Sequence, residues 1–313
     1  MSRPFSQPLD IRRALTAKPP ELDHVLPGLL SGTVGMMAGP GGSGKTTLEL
    51  QIAVALATGT LPLGGVLGAV PGMPPKPSRV VLVAAEEQQE VLTHKLHAIA
   101  GAILRPAHDG GLGLEPSAFL ELLEQNLSLF AEAKSGSLSL LDERGRVTRN
   151  ARGLLRAVRG ARLVILDPLR QFQDGDENNS GAMNHAVRLL RGLAAHSGAA
   201  VVFAHHTSRA ANQMGFGDTA GAARGSTALT DGVRWQLNLS YPSRDWGKAH
   251  GIVEGQRKDY LLVDIPKANY LPPQGTQLLR RAAGGVLEWV PEGCASSSPA
   301  PRRAQPVTPR GRL

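Results

Sequence analysis

Gly39, Gly44, Lys45 and Thr46 occupy the fixed positions of a G-x-x-x-x-G-K-[ST] pattern, in the run Gly39-Pro40-Gly41-Gly42-Ser43-Gly44-Lys45-Thr46-Thr47. Glycines at this spacing let consecutive backbone N–H groups turn toward one point, and a helix starting near Gly44 adds the positive end of its dipole. The chemistry this suits is the capture of a phosphate chain. Amides cradle the phosphates, Lys45 reaches the β- and γ-phosphates, and the Thr46 hydroxyl ligates magnesium. The expected ligand is a nucleoside triphosphate, ATP, with Mg2+.

Three further groups could act on a bound triphosphate. Asp167 closes the apolar run Val164-Ile-Leu-Asp167 and would stand at the tip of a central strand, where a carboxylate can hold magnesium. Glu86 follows the run Arg79-Val-Val-Leu-Val-Ala-Ala85, and an acid there can polarise a water that attacks the γ-phosphate. Its neighbour Glu87 must face the other way, because adjacent strand side chains alternate; we assign Glu86 to the site and Glu87 to a helix N-terminus. His205 and His206 follow the apolar run ending at Ala204. A histidine pair can bind a metal, but no third ligand is spaced nearby, so we read His206 as a phosphate sensor and His205 as partly structural. Residues 207–223 then form a polar, Gly-rich stretch, and long loops of this kind in compact domains are functional or disordered. Arg209 is its one cation before Arg224.

These groups need strands and helices to position them. Thr33–Ala38 reads as a buried strand and Thr47–Ala57 as an apolar helix, so strand, loop and helix come in the order that the phosphate pattern requires. Residues 62–78 are rich in Pro and Gly and read as a surface loop. A helical pattern at Val91, Leu92, Leu96 and Ile99 ends near Gly101, and residues 102–146 read as a helical excursion with one short strand. A helix over Thr148–Arg159 leads into the strand Leu163–Asp167, and a helix over 181–196 leads into the strand Ala199–Ala204. This alternation implies an α/β fold with a mainly parallel sheet and the ligand at the strands' C-terminal edge. After Arg234 the alternation stops, and Trp235–Ser240, Arg257–Asp264, Ile265–Tyr270 and Gln277–Trp289 read as consecutive antiparallel strands.

With 313 residues and 42% hydrophobic content, the chain can bury one full α/β core. We divide it into an N-terminal segment 1–18 that could contact another subunit, a core over 19–293, and a tail over 294–313. The single cysteine, Cys294, excludes an internal disulfide and a cysteine zinc site and suits a reducing cytosol. No long apolar stretch points to a membrane, so the expected location is the cytoplasm. The net charge of +8 favours a polyanionic partner, but Arg302, Arg303, Arg310 and Arg312 place half of it in the Ser/Pro-rich tail. The 4% aromatic content argues against a single-strand binder built on base stacking.

A larger set of motifs is more specific than the phosphate loop alone. Leu22-Asp-His-Val-Leu-Pro-Gly28, Gly39–Thr46, Ala85-Glu86, Val164–Asp167, His205-His206, Arg224-Gly-Ser226, Asp231-Gly-Val-Arg-Trp235 and Lys267-Ala-Asn-Tyr270 follow one another in that order. The set resembles the RepA-type hexameric replicative DNA helicases of IncQ-like plasmids, over roughly residues 10–290. The resemblance implies a RecA-like ATPase core that assembles into a six-membered ring with ATP between neighbouring subunits. It implies that Glu86 is the catalytic glutamate, Asp167 the magnesium-side acid and His206 the sensor. Arg234 matches an arginine finger that would reach the neighbour's γ-phosphate, and Lys267 a second cation near the same group. The stretch 207–223 matches the region lining the central channel, so Arg209 and Arg224 become the candidates for gripping single-stranded DNA. A plasmid initiator and a primase become candidate partners. One arginine in the loop is a thin grip unless six copies converge.

Two other readings fit the same residues. One is a RecA-type single-strand-binding or recombination ATPase that forms open filaments, since a small change in subunit rotation separates a ring from a helix. The other is a nucleotide-gated regulatory P-loop protein, or a small-molecule kinase, although a kinase lid with clustered arginines does not stand out.

Overall fold

The computed structural model describes residues 8–60, 76–105, 114–142, 144–174, 180–207, 227–272 and 274–291. The strands are β1 (His24–Leu26), β2 (Leu29–Leu30), β3 (Val34–Gly39), β4 (Val80–Ala84), β5 (Leu127–Ala131), β6 (Leu163–Asp167), β7 (Ala200–His206), β8 (Trp235–Ser240), β9 (Tyr260–Ala268), β10 (Gln277–Arg281) and β11 (Leu287–Val290). The helices are α1 (Ile11–Thr16), α2 (Lys45–Thr58), α3 (Gln89–Ile103), α4 (Pro116–Asn126), α5 (Arg149–Ala157), α6 (Ser180–Ser197), α7 (Thr227–Gly232) and α8 (Arg244–Ala249). None of the described helices is long and apolar enough to cross a membrane.

Nine strands form one sheet in the order β11-β10-β9-β8-β3-β7-β6-β4-β5. From β5 to β8 every pairing is parallel, and from β8 to β11 every pairing is antiparallel. The central strands are continuous apolar runs because both faces of the sheet are covered. Their alternation still decides what each side chain meets. Val80, Leu82, Leu163, Ile165 and Val202 join the core under α2, α3 and α4, whereas Val81, Val83, Val164, Leu166 and Phe203 join the core under α5, α6 and α7.

Helix α2 is enclosed on all sides. Leu48, Leu50, Ile52 and Val54 are buried, and so are Glu49 and Gln51, which an amphipathic reading would leave in water. Gly59 ends the helix with φ near 70°, a left-handed cap that suits glycine. Trp235 at the start of β8 is fully buried, donates its indole N–H to the Pro27 carbonyl at 2.9 Å and packs over Gly35 on β3. A methyl group on Gly35 would sit 2.8 Å from the indole, so the strand needs glycine there.

The C-terminal half departs from the sequence reading in three places. The segments 257–264 and 265–270 are one strand, β9, that runs through Pro266. Proline is accommodated because its position falls at the register shift between the Asn238 and Gln236 pairings and beyond the end of β10 on the other side. Gln277–Trp289 is a hairpin of two strands instead of one, turned at Gly284 and Gly285, both with φ near 70–80°. Strand β8 is also parallel to β3, so the antiparallel series begins only with β9. Earlier in the chain, β7 extends through both histidines, and Glu87 precedes α3 without capping it; its carboxylate pairs with Lys95.

Candidate nucleotide site

The phosphate loop leaves β3 at Gly39 and enters α2 at Lys45. Gly42 and Gly44 take φ of 71° and 91°, which only glycine adopts without strain, and these turns aim the loop backbone inward. Two side chains from the far end of the chain brace it from outside. Arg281 on β10 donates to the Gly42 and Ser43 carbonyls at 3.1 and 2.6 Å, and the Tyr241 hydroxyl donates to the Gly42 carbonyl at 3.3 Å.

Lys45 is buried and fills the loop it would share with a phosphate chain. Its ammonium donates to the Gly39 and Pro40 carbonyls at 2.8 and 2.9 Å and to His206 Nδ1 at 3.2 Å. Burial lowers its pKa, with Asp167, Glu49 and Glu86 acting in the opposite direction. Because an ammonium only donates, His206 Nδ1 must accept, which fixes the neutral tautomer with its proton on Nε2. The pKa of His206 is lowered first by burial and then by the charges of Lys45 and Arg170, which agrees with the neutral ring.

The Thr46 hydroxyl donates to Asp167 Oδ2 at 2.6 Å, so the two groups assigned to magnesium meet at one point beneath the loop. Both are hard oxygen donors of the kind magnesium prefers, and phosphate oxygens would complete its shell. Glu49, one turn further along α2, lies fully buried beside Asp167. Burial and then the Asp167 carboxylate push its pKa well above the usual range, which favours the neutral acid.

Glu86 stands just beyond β4 and faces the same crevice. Its Oε1 accepts from Arg170 Nε at 2.7 Å, from Arg170 Nη2, and from Gln171 Nε2 at 2.9 Å, and its Oε2 lies 3.8 Å from His206 Nε2. Desolvation opposes ionisation, but the hydrogen bonds from Gln171 and Arg170 outweigh it and hold the pKa below the usual glutamate value. Lys45, Thr46, Asp167, Glu86 and His206 therefore converge at the C-terminal ends of β3, β4, β6 and β7. His205 is buried, facing away from this group along the strand.

Arg234 and Lys267 do not join them. Arg234 precedes β8 and donates its backbone N–H to the Val34 carbonyl, at the opposite end of β3 from the phosphate loop. Lys267 lies beside it on β9 and donates to the Thr230 carbonyl at 2.7 Å. Burial lowers its pKa, Asp231 raises it, and the neighbouring charges of Arg234 and Arg191 lower it further. Arg209 and Arg224 lie outside the described residues, as do Cys294 and the basic tail. Sequence reasoning missed Arg170, Gln171, Glu49, Arg281 and Tyr241. The first two follow Asp167 by three and four positions and could have been noticed there, whereas Arg281 and Tyr241 carry no local signal.

A mainly parallel sheet with a phosphate loop after β3 and an acid at the end of β6 defines a RecA-like P-loop ATPase fold. The chain matches the AAA domain family over residues 2–212, and it belongs to that family. The ATPase domain of G40P superposes with a TM-score of 0.54 at 16% identity, covering 83% of this chain and 86% of that one. A DnaB-like replicative helicase, solved in a study of its interactions with primase, gives 0.56 at 18% identity, covering 82% of this chain and 57% of that one. The RadB recombinase gives 0.48 at 17% identity over 84% of this chain and 93% of that one.

Proposed function

We propose that this protein is an ATP-dependent replicative DNA helicase of the plasmid type, which hydrolyses ATP at the subunit interfaces of a hexameric ring and translocates on single-stranded DNA. The carrying observation is the separation of the assigned groups. Five converge on the phosphate loop, while Arg234 and Lys267 sit at the other end of β3, about 16 Å away at 3.3 Å per residue over the five positions from Val34 to Gly39. Neither can serve its own loop, and both would serve a neighbour's in a head-to-tail ring. The likeness to the ATPase domain of G40P and to a DnaB-like replicative helicase supports the reading at the level of fold. Arg209 and Arg224 are proposed to contact the DNA, and a plasmid initiator and a primase are proposed partners.

The chain's residues would act as follows. The loop amides and Lys45 hold the triphosphate, and Lys45 releases the Gly39 and Pro40 carbonyls to do so. Thr46 and Asp167 would hold magnesium, which neutralises charge on the phosphoryl oxygens when bound. Glu86 takes a proton from water as the water oxygen bonds to the γ-phosphorus and the bond to the β–γ bridging oxygen breaks, releasing ADP. His206 senses the outcome, since it touches both Lys45 and the Glu86 side of the crevice. The neighbour's Arg234 stabilises the charge spread over the transferring group. Helix α1 fits a subunit-contact role for residues 1–18: it has no buried residue, and Leu9, Ile11 and Leu15 are 63–81% exposed.

The test is strand displacement on a forked duplex by wild type and Lys45→Ala, followed by ATPase measurements on mixed subunits. Arg234→Ala and Lys45→Ala should each be inactive alone. Mixed in equal amounts they should recover about one quarter of the active interfaces, because only a Lys45→Ala finger facing an Arg234→Ala loop is complete. An Arg234→Ala protein with full activity would sink the shared site. DNA-stimulated hydrolysis with no displacement would instead favour a strand-binding ATPase.

A further inference from the structure

Glu86 is held more tightly than a base at the edge of a crevice needs to be for stability. Arg170 and Gln171 sit in the short 3-10 helix Leu169–Phe172, in which positions three apart share a face. Leu169 and Phe172 are both buried in the core under α5 and α6, which turns the two intervening side chains outward onto Glu86. The strand end is fixed as well, because the Ala85 N–H donates to the Asp167 carbonyl at 2.7 Å. The clamp therefore rests on two buried anchors and one backbone bond.

All three of its donors go to the same oxygen. Arg170 delivers Nε and Nη2 to Oε1, and Gln171 adds Nε2, leaving Oε2 turned toward His206 and, behind it, Lys45. An arginine paired with a carboxylate for stability alone usually gives one N–H to each oxygen, and a pair this exposed contributes little to folding. The arrangement instead saturates one oxygen and leaves the other on the phosphate side.

We propose that Arg170 and Gln171 are positioning residues that select Glu86 Oε2 as the proton acceptor and fix its direction toward the attacking water. This rests on the proposed hydrolysis, in which Glu86 is the base. A free glutamate would sample several rotamers and present either oxygen, whereas a clamped one is aligned before the nucleotide arrives. The step itself is unchanged: water gives its proton to Oε2, its oxygen bonds to the γ-phosphorus, and ADP leaves. The clamp contributes alignment and touches neither nucleotide nor water.

The experiment is a double-mutant cycle in single-turnover ATP hydrolysis, with binding of a fluorescent ATP analogue measured in parallel on the full chain. Arg170→Ala should lower kcat by about 10- to 100-fold, the range that follows misplacement of a catalytic group, and leave KM for ATP and analogue affinity within about two-fold. Arg170→Lys should recover only part of kcat, because a single ammonium nitrogen cannot reproduce the rigid fork of Nε and Nη2 on one oxygen. Gln171→Ala should show the same split with a smaller loss. In a Glu86→Ala background, Arg170→Ala should cost less than about two-fold, because its target is gone. A similar loss in both backgrounds would overturn the proposal by showing that Arg170 acts elsewhere. So would an Arg170→Ala enzyme with wild-type kcat, or one that loses analogue affinity as much as kcat. If Glu86→Ala itself leaves hydrolysis intact, the assignment of the base falls and the clamp falls with it; a wild type with no ATPase activity refutes both, whereas hydrolysis without strand displacement refutes the helicase reading alone.

Discussion

Replacing Gln51 by methionine removes a contact that closes the sheet. Strand β11 is the edge of the nine-stranded sheet, and an edge strand presents backbone groups that need partners. At Leu287 the partner is a side chain: Gln51 Nε2 donates to the Leu287 carbonyl at 2.8 Å, and the Leu287 N–H donates to Gln51 Oε1 at 2.8 Å. The amide of Gln51 thus stands where another strand would stand. Both residues are buried, so water cannot replace either bond. Methionine has nearly the same shape and keeps the packing, so the change isolates the two hydrogen bonds.

Each orphaned buried group costs about 1–3 kcal/mol, and the extra apolar surface of methionine offsets part of the sum, which leaves a destabilisation of about 2–4 kcal/mol. The assay is equilibrium unfolding in urea, read as a shift in midpoint at constant slope. Gln51→Glu should be worse than Gln51→Met, since it keeps the acceptor, loses the donor and buries a charge. A loss below about 0.5 kcal/mol for Gln51→Met would show that β11 does not depend on α2 for its closure, and would refute the reasoning.

Two more outcomes follow from the phosphate loop. Gly44→Ala places a methyl group in the left-handed region, at φ 91°, and 3.0 Å from the Arg281 guanidinium. It should lower stability by about 1–2 kcal/mol and abolish binding of a fluorescent ATP analogue; a wild-type affinity would count against the brace. The lowered pKa of His206 means that the unfolded chain takes up the proton first as pH falls. Stability should therefore be full above the ordinary histidine value of about 6.5 and decline as pH drops from there toward the folded value, and His206→Gln should flatten that decline in urea titrations at several pH values. Glu86 adds a loss of the same sign at lower pH, since its folded pKa is also lowered.

How much of this was legible in the sequence depends on whether the cause was local. The phosphate loop, Asp167 and Glu86 declare themselves because each needs only a strand followed by a particular residue, and continuous apolar runs mark buried parallel strands well. Glu49 and Gln51 stand two apart on α2, on different faces, and both are buried. Nothing in the run Leu48-Glu-Leu-Gln51 says that Gln51 meets a hairpin more than two hundred residues later, or that Glu49 lies beside Asp167. Arg281 is one of two adjacent arginines on a strand, and only its register opposite Leu287 sends it to the loop. The sequence reading divides the chain between Asp264 and Ile265, whereas β9 runs on through Pro266, which sits at a bulge where no ladder bond is asked of it. Gly284 and Gly285 marked a hairpin that the sequence reading ran through as one strand.

The same dependence on pairing decides what Arg234 can do. It precedes β8 as the phosphate loop follows β3, and these two facts alone place it at either end of the sheet. Had β8 been the first of the antiparallel strands, as the loss of alternation after Arg234 suggests, its start would lie beside the end of β3. Arg234 would then reach Lys45's own loop, and a single subunit could carry a complete site. The register of Gly35 with Trp235 and Ala38 with Asn238 is parallel, which puts Arg234 beside Val34 at the far end. Parallel strands need a crossover connection, and here it runs from β3 out to the β5 edge and back through β6 and β7 before β8 begins. On the proposed reading, one strand's direction separates a self-sufficient ATPase from one that requires a neighbour, and the mixed-subunit assay tests that reading. Activity restored by mixing two inactive proteins needs the parallel pairing, whereas a self-contained site would give none.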